Sequence, residues 1–449
     1  MKSKMELEVI NPRCAGIDVG SRSHFVAIGQ NLSDVKEFGV YADDLTAICL
    51  WLKESGITSV AMESTGPYWQ NLYVELSKYG FELVLTNGKF TKQVQGKKTD
   101  VKDCQWIQKL HTLGLLTSSF LPDEITEQLR TYCRQRTNWL NLAAEASSKM
   151  QKYLKLLNLR LDVVVKDICG LTGLAIIADI CNGNLDPEKL AEHRHYSCKK
   201  SKEEIAKALI GNNRQDYLFG LKQEYESYLF FQSKIADCDK EIEAFMKTEI
   251  MIDPVKKKLK TTDKKYKKAN KNAPDFDLNQ LAFQYFGGID LMAIEGVSYA
   301  TILTLISEIG PDGFKKFPTA KHFASWLRLA PNNKISGGRV LSHRTPKGSN
   351  RLKIGLRQAA NAIGNLRGTD LSDFFRRIAF RKGRPAAISA TARKLAIIIW
   401  NMQIKNVPYL PTKEYLFLDQ KRQMKLVTRI RKQIAKFDLK PEQLGFATG

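Results

Sequence analysis

The sequence predicts an α/β domain followed by two mostly helical regions, and three observations carry that reading. Over roughly the first 115 residues, short apolar strands alternate with amphipathic helices. The middle of the chain carries two long heptad seams. The last third is strongly basic and has helical periodicity broken by one glycine-rich stretch.

In the N-terminal part, CAGIDVGSRSHFVAI (14–28) reads as a strand, a tight turn and a second strand. ADDLTAICLWLKESG (42–56) has the spacing of a helix closed by Gly56, and TSVAMEST (58–65) is a short strand ending on a carboxylate. PYWQNLYVELSKYG (67–80) opens on Pro and ends on Gly, as a helix does. FELVLTN (81–87) is a further strand, and a helix runs from about Asp100 to Leu113. Strands first, then alternation, indicate a sheet covered by helices.

The first seam runs through Ile125, Leu129, Tyr132, Arg136, Trp139, Ala143, Ala146, Met150, Tyr153 and Leu157, and Arg136 interrupts it. The second runs through Leu221, Tyr225, Tyr228, Gln232, Ile235, Asp239, Ile242 and Met246, with Gln232 and Asp239 polar. Two arrangements fit: an antiparallel hairpin with residues 160–215 as a helical knob at its tip, or two ordinary helices of one bundle. The long seam is also a surface on which a second copy would dimerise. Residues 255–274 are lysine-rich and low in complexity, the composition of a linker. FGGIDLMAIEGVSYATILTLISEIG (286–310) predicts two helices around a turn at Glu295–Tyr299, similar to a helix–hairpin–helix whose turn amides grip phosphate, with Ser298 in place of the usual second glycine.

The charge balance narrows the function. The 449 residues carry 70 Lys and Arg against 47 Asp and Glu, a net +23. Between Phe314 and Gly449 there are 29 basic and 6 acidic residues, so this segment holds the whole excess. A field that localised favours a polyanion, and nucleic acid is the usual one. Eight scattered cysteines without a CxxC pair indicate no disulfide framework, and Cys181, His193, His195 and Cys198 fit no standard zinc spacing. No apolar run is long enough to span a membrane and the N-terminus lacks a signal-peptide core, so a cytoplasmic protein is expected.

Four carboxylates stand out by position. Asp18 lies in the first strand, Glu63 ends the strand TSVAME, and Asp100 and Asp103 share one face at the start of a helix. Carboxylates converging from a sheet edge and a facing helix make an oxygen-rich cage that holds Mg²⁺ or Mn²⁺ and activates oxygen nucleophiles against phosphate. Singly, each is also an ordinary cap, strand end or helix N-terminal charge. Their order resembles the ribonuclease-H-like fold with a DEDD site, of the RuvC-like resolvase type. GIDVGS is also similar to the phosphate loop of actin-like ATPases, but the second Asp-x-Gly-Ser/Thr loop those require is absent from the sequence.

In ASWLRLAPNNKISGGRVLSHRTPKGSNRLKIGLRQAA (324–360), a helix ending at Ala330-Pro331 leads into a flexible Ser336-Gly337-Gly338, followed by Arg339, His343, Arg344, Lys347 and Arg351. Paired glycines let backbone approach a phosphate closely. The serine hydroxyl suits attack on phosphorus with the cations stabilising developing charge, or the loop merely grips DNA; composition leaves both open.

Several motifs together resemble the transposases of the IS110 (IS-one-ten) insertion-sequence family, including its IS-eleven-eleven group. They are GIDVGSRSH, MESTGPYW, GKKTDVKDCQWIQKL and LPDE…LRTYCRQR, then IEGVSYATILTLISEIG, FPTAKHFASWLRLAP, SGGR, TPKGSNRLKIGLRQAA and GRPAAISATARKLAIIIW. They cover roughly residues 14–158 and 286–405. The resemblance implies a DEDD metal site on Asp18, Glu63, Asp100 and Asp103 and a serine nucleophile at Ser336. It implies strand exchange between donor and target DNA through a phosphoserine link, a dimer or tetramer, a structured guide RNA, and action on the prokaryotic nucleoid. Cys104 stands where the family usually has alanine, and Ile335 replaces a second hydroxyl residue, leaving Ser342 as the near rival of Ser336.

The expected organisation is a RuvC-like domain over 1–120, coiled-coil arms with a knob over 121–250, a linker over 251–280, a serine-bearing domain over 281–410 and a basic tail over 411–449. Arg393 and Lys394, with Arg429, Arg431 and Lys432 of the tail, are expected to hold phosphate backbone. Two competitors differ in kind: a metal-dependent junction resolvase or nuclease without covalent serine chemistry, and a non-catalytic nucleic-acid-binding protein.

Overall fold

The computed structural model describes residues 8–91, 99–252, 271–342, 344–348, 350–410 and 416–437. The chain forms two compact units, Met1–Leu121 and Pro122–Gly449.

The first unit opens on β1 (Cys14–Val19), β2 (His24–Ala27) and β3 (Val35–Phe38), followed by α1 (Ala42–Glu54), β4 (Ser59–Glu63), α2 (Trp69–Lys78), β5 (Glu82–Thr86), the short α3 (Gly88–Thr91) and α4 (Asp100–Thr112). The sheet order is β3-β2-β1-β4-β5. β1, β2 and β3 form an antiparallel meander, while β4 and β5 run parallel to β1. That is the ribonuclease-H-like arrangement. β3 is an addition to the sequence reading: its VKEF is too short and polar to announce a strand, and it adds only an edge to the sheet.

Alternation along the strands sorts the two faces. Ile17, Val19, Val60 and Met62 join Ile48 and Leu52 of α1 and Leu72 and Leu76 of α2 in one core. The alternate residues Gly16, Asp18, Ala61 and Glu63 therefore belong to the opposite face. α4 packs there, and closely. A Cβ on Gly16 would collide with the backbone of Gln108 and Cys104, so only glycine permits this approach. Buried Ser59 and His111 join β4 to α4 by a 2.7 Å hydrogen bond.

The second unit opens on α5 (Glu124–Leu156), a single helix of 33 residues. After it come α6 (Leu161–Val164), α7 (Leu171–Cys181), α8 (Pro187–Ala191) and α9 (Lys202–Ala208), then α10 (Gln215–Ile252), 38 residues long. α5 and α10 pack along their length, which selects the hairpin of the two arrangements left open above. α6 to α9 form the knob, with Leu161, Ile176, Ile180, Leu190 and Ile205 sharing a core with Met150 and Leu154. The seam is filled within the chain, because Leu129, Ala143, Met150, Leu221, Ile235, Ile242 and Met246 are buried against intrachain neighbours. The expected dimerisation along it is therefore corrected to an intramolecular hairpin. Its polar interruptions pair with each other: buried Arg136 donates to both carboxylate oxygens of Asp239, and to the Asn272 carbonyl at 3.1 Å.

Residues 253–270, most of the lysine-rich linker, lie outside the described residues. Beyond them stand α11 (Leu278–Tyr285), α12 (Tyr299–Glu308), the single turn α13 (Gly310–Gly313) and α14 (Ala320–Trp326). The two-helix motif expected over 286–310 is not formed. Gly287 and Gly288, both at positive φ, end α11, and only a 3-10 turn, Leu291–Ala293 capped by Asp290, precedes the turn at Gly296. Gly296 is needed for packing, since a Cβ there would strike the Ala359 carbonyl. Glu308, buried, receives two hydrogen bonds from Arg134 at 2.9 and 2.8 Å and so ties α12 to α5.

A two-stranded hairpin, β6 (Lys334–Ser336) and β7 (Arg339–Ser342), follows, then α15 (Arg351–Ile363), α16 (Asp370–Lys382), α17 (Arg384–Lys405) and α18 (Leu416–Phe437). The helix expected to reach Ala330 stops at Trp326, where Arg328 turns left-handed at φ 54°. Among the described residues no helix is long and apolar enough to cross a membrane.

Candidate active site

In the first unit, β1 and β4 are parallel neighbours with Ile17 opposite Met62, so Asp18 and Glu63 stand side by side at their C-terminal ends. α4 runs antiparallel to β1, for its far end meets the chain before β1 through Ile10 and Asn11 N–H bonds to the Thr112 carbonyl. Its first turn, carrying Asp100 and Asp103, therefore lies toward the Asp18 end of the sheet. Thr99 caps it by accepting from the Lys102 amide at 3.3 Å. Cys104 sits between the groups. Burial pushes its thiol up to about 12, and the charges of Asp18 and Asp103 act in the same direction.

The four carboxylates thus reach one face and one end of the sheet, and hard carboxylate oxygens are the donors that Mg²⁺ or Mn²⁺ takes. Their side chains are not drawn into a cage. Among the described residues no three His, Cys, Asp or Glu groups converge closely enough to hold a metal. Glu63 instead accepts hydrogen bonds from Thr91 Oγ1 at 2.5 Å and Thr65 Oγ1 at 3.2 Å, over Gly88, where a Cβ would displace it. The donor set fits the ion by chemistry and by placement of the backbone, not by side-chain convergence.

In the second unit, the stretch expected to be flexible is an ordered β-hairpin. Gly337 and Gly338 form its two-residue turn, both at positive φ (52° and 74°), which is the glycine requirement of a type I′ turn. The Ser-Gly-Gly-Arg run flanked by short strands carried that signal. Ser336 pairs in register with Arg339, so their side chains leave the same face beside the turn. Both are exposed, as is Ile335. At the hairpin base the Asn332 amide donates to the Arg344 carbonyl at 3.0 Å. One step further, Arg328 donates to the Lys347 carbonyl at 2.5 Å, and its guanidinium fills the place a Cβ on Gly348 would need.

Arg344 is brought together with Arg393 and Lys394 of α17 in a groove of about 1040 Å³. Arg381 and Lys382 of α16 line it too, and sequence reasoning missed both; the cation-rich FRRIAFRKGR was the available signal. Lys347, in the loop before α15, and Arg351, at the start of α15, are exposed and do not line the groove. His343 lies outside the described residues. Lys353, near Arg357 and Arg328, has its ammonium pKa lowered by burial and then by those two charges. Of the four residues that fit no zinc spacing, His193 meets Asp179 at 2.8 Å, His195 meets Ser197 at 2.8 Å and the Cys198 thiol faces the Val164 carbonyl, while burial raises the Cys181 thiol to about 11.

Comparison with known families follows this division. Residues 15–159 match a transposase family model of the DEDD type named for IS110, and residues 290–375 match the model of the transposase IS116/IS110/IS902 family. No curated protein matches the chain. The first match spans the sheet and helix α4, which together carry the four carboxylates, and the second spans the serine hairpin. With both halves present on one chain, the protein belongs to the IS110 family of transposases, enzymes that cleave and transfer DNA strands.

Proposed function

We propose that the chain moves an insertion sequence by serine-based strand exchange, with Ser336 as nucleophile and Asp18, Glu63, Asp100 and Asp103 as its metal-binding carboxylates. The observation that carries this is the hairpin: an exposed hydroxyl, next to a two-glycine turn, in register with a guanidinium. Ser336 Oγ attacks phosphorus, the new O–P ester forms as one strand ester breaks, and the hydroxyl proton leaves to a base. The displaced strand oxygen takes up a proton. Attack by a second strand's hydroxyl reverses these steps and frees the serine, so ester is exchanged for ester and no external energy source is required. Arg339 stabilises the charge on the phosphoryl oxygens as it develops. Asp18, Glu63, Asp100 and Asp103 would hold a Mg²⁺ or Mn²⁺ ion, which would supply Lewis-acid polarisation when bound.

Donor and target DNA, held largely by the basic second unit, are the substrates, and a structured RNA acts as guide. The working form is a dimer or tetramer acting at the nucleoid in the cytoplasm. The test uses the gene with its flanking DNA and denaturing gels for protein attached to DNA. Wild type is expected to give an adduct that Ser336→Ala abolishes, and Asp100→Asn is expected to abolish recombination. Mg²⁺-dependent cleavage that persists in Ser336→Ala without any adduct would establish instead a resolvase-like nuclease acting through the carboxylates alone.

A further inference from the structure

The groove at the foot of the serine hairpin has two layers. Its rim is cationic, with Arg344 from the hairpin arm, Arg381 and Lys382 from α16, and Arg393 and Lys394 from α17, and no carboxylate lines it among the described residues. Its floor is apolar: Leu329 is buried, and Ile378, Ile397 and Phe374 are half-buried. The Lys394 ammonium already lies 4.6 Å over the Phe374 ring, so a cation and an aromatic face are paired inside the groove. Arg393 Nε is buried without a hydrogen-bond partner. A buried guanidinium N–H without an acceptor, among like charges, is a cost that an incoming acceptor would remove.

The two layers discriminate between forms of nucleic acid. An intact duplex presents phosphates outward and keeps its bases stacked inside, so it satisfies the rim and leaves the floor wet. An unpaired nucleotide presents both an anion and a flat apolar base. The volume, about 1040 Å³, is at the upper end of the range for pockets that enclose small ligands, room enough for one nucleotide and part of a neighbour. We propose that this groove seats an unpaired nucleotide of a polynucleotide strand, its phosphate on the rim and its base on the floor. The proposal rests on the reading of this unit as one that handles nucleic-acid strands. It adds that a base leaves the stack at the foot of the hairpin that carries Ser336.

The experiment uses the full chain and fluorescence anisotropy with three probes: a perfect DNA duplex, the same duplex with a single unpaired nucleotide, and a hybrid in which the bulged strand is RNA. Preference for the bulged DNA over the perfect duplex by about tenfold is expected, with changed emission from 2-aminopurine at the bulge. The RNA-bulge arm tells which strand supplies the nucleotide. Ile378→Asn and Arg393→Gln are each expected to shrink the preference to within twofold, while exposed Lys382→Gln weakens all probes by a similar factor. If Ile378→Asn fails to fold by circular dichroism, Arg393→Gln carries the comparison. Equal affinity for bulged and perfect duplexes, or a bulge fluorophore that stays solvent-like on binding, overturns the proposal. Adduct formation without bulge preference sinks the groove and leaves Ser336; bulge preference without an adduct sinks the serine chemistry alone.

Discussion

Ser336 is positioned by its neighbours rather than by burial. A left-handed backbone at Gly337 and Gly338 costs an L-residue about 1–2 kcal/mol each, so Gly337→Ala with Gly338→Ala is expected to loosen the turn and reduce adduct formation at least tenfold. Gel quantification checks this, with circular dichroism showing the helices intact. Arg328 holds the following loop through the Lys347 carbonyl, a role a sequence reading does not expose because the arginine lies eight residues before the serine. On the acidic face, Gly16→Ala has no room against the Gln108 backbone. It is expected to lower stability by about 1–3 kcal/mol, the usual range for overpacking, read as a shift in the urea midpoint. Cys104 offers a pH test. Burial holds its thiol protonated up to about 12, whereas an exposed thiol ionises near 8.5. The neutral form is the one favoured in the fold, so alkylation by iodoacetamide at pH 9 is expected to be slow until denaturant is added.

At the scale of elements, the two long helices are joined by an apolar seam with one charged step. Arg136 and Asp239 interrupt their heptads in sequence and meet in space, buried. Removing one partner strands the other charge, so Asp239→Ala is expected to cost about 3–5 kcal/mol. Replacing both, Arg136→Met with Asp239→Leu, is expected to be neutral or stabilising. Chemical denaturation of the wild type, Asp239→Ala and the double variant checks the sign, and a double variant that loses more than Asp239→Ala would show that the stranded charge is not what costs stability. The heptad steps were legible because a period of three and four repeats over many turns; the pairing of the interruptions was not, since each charge taken alone reads as a flaw. The expected helix–hairpin–helix failed for a related reason. Gly287 and Gly288 break the first helix, and Gly296 serves packing against Ala359 rather than an open phosphate grip.

For the whole molecule, the excess charge of +23 lies entirely beyond residue 313. Binding of a perfect duplex is expected to weaken steeply with salt, since each neutralised phosphate contributes a slope of about −0.9 in log K against log salt. A slope near zero in an anisotropy titration from 50 to 200 mM salt would contradict a backbone-dominated interface. The sequence by itself determined the strands and helices of the first unit apart from the short edge strand β3, the two seams, the place of the charge and the family motifs, because these are carried by local periodicity and by short runs of residues. Only the tertiary structure decided that the seams fill each other, that Ser336 faces out beside Arg339 on an ordered hairpin, and that Arg344, Arg381, Lys382, Arg393 and Lys394 share one groove. Those facts depend on which distant residues become neighbours. A linear pattern specifies the face an element must bury, but not the partner that buries it.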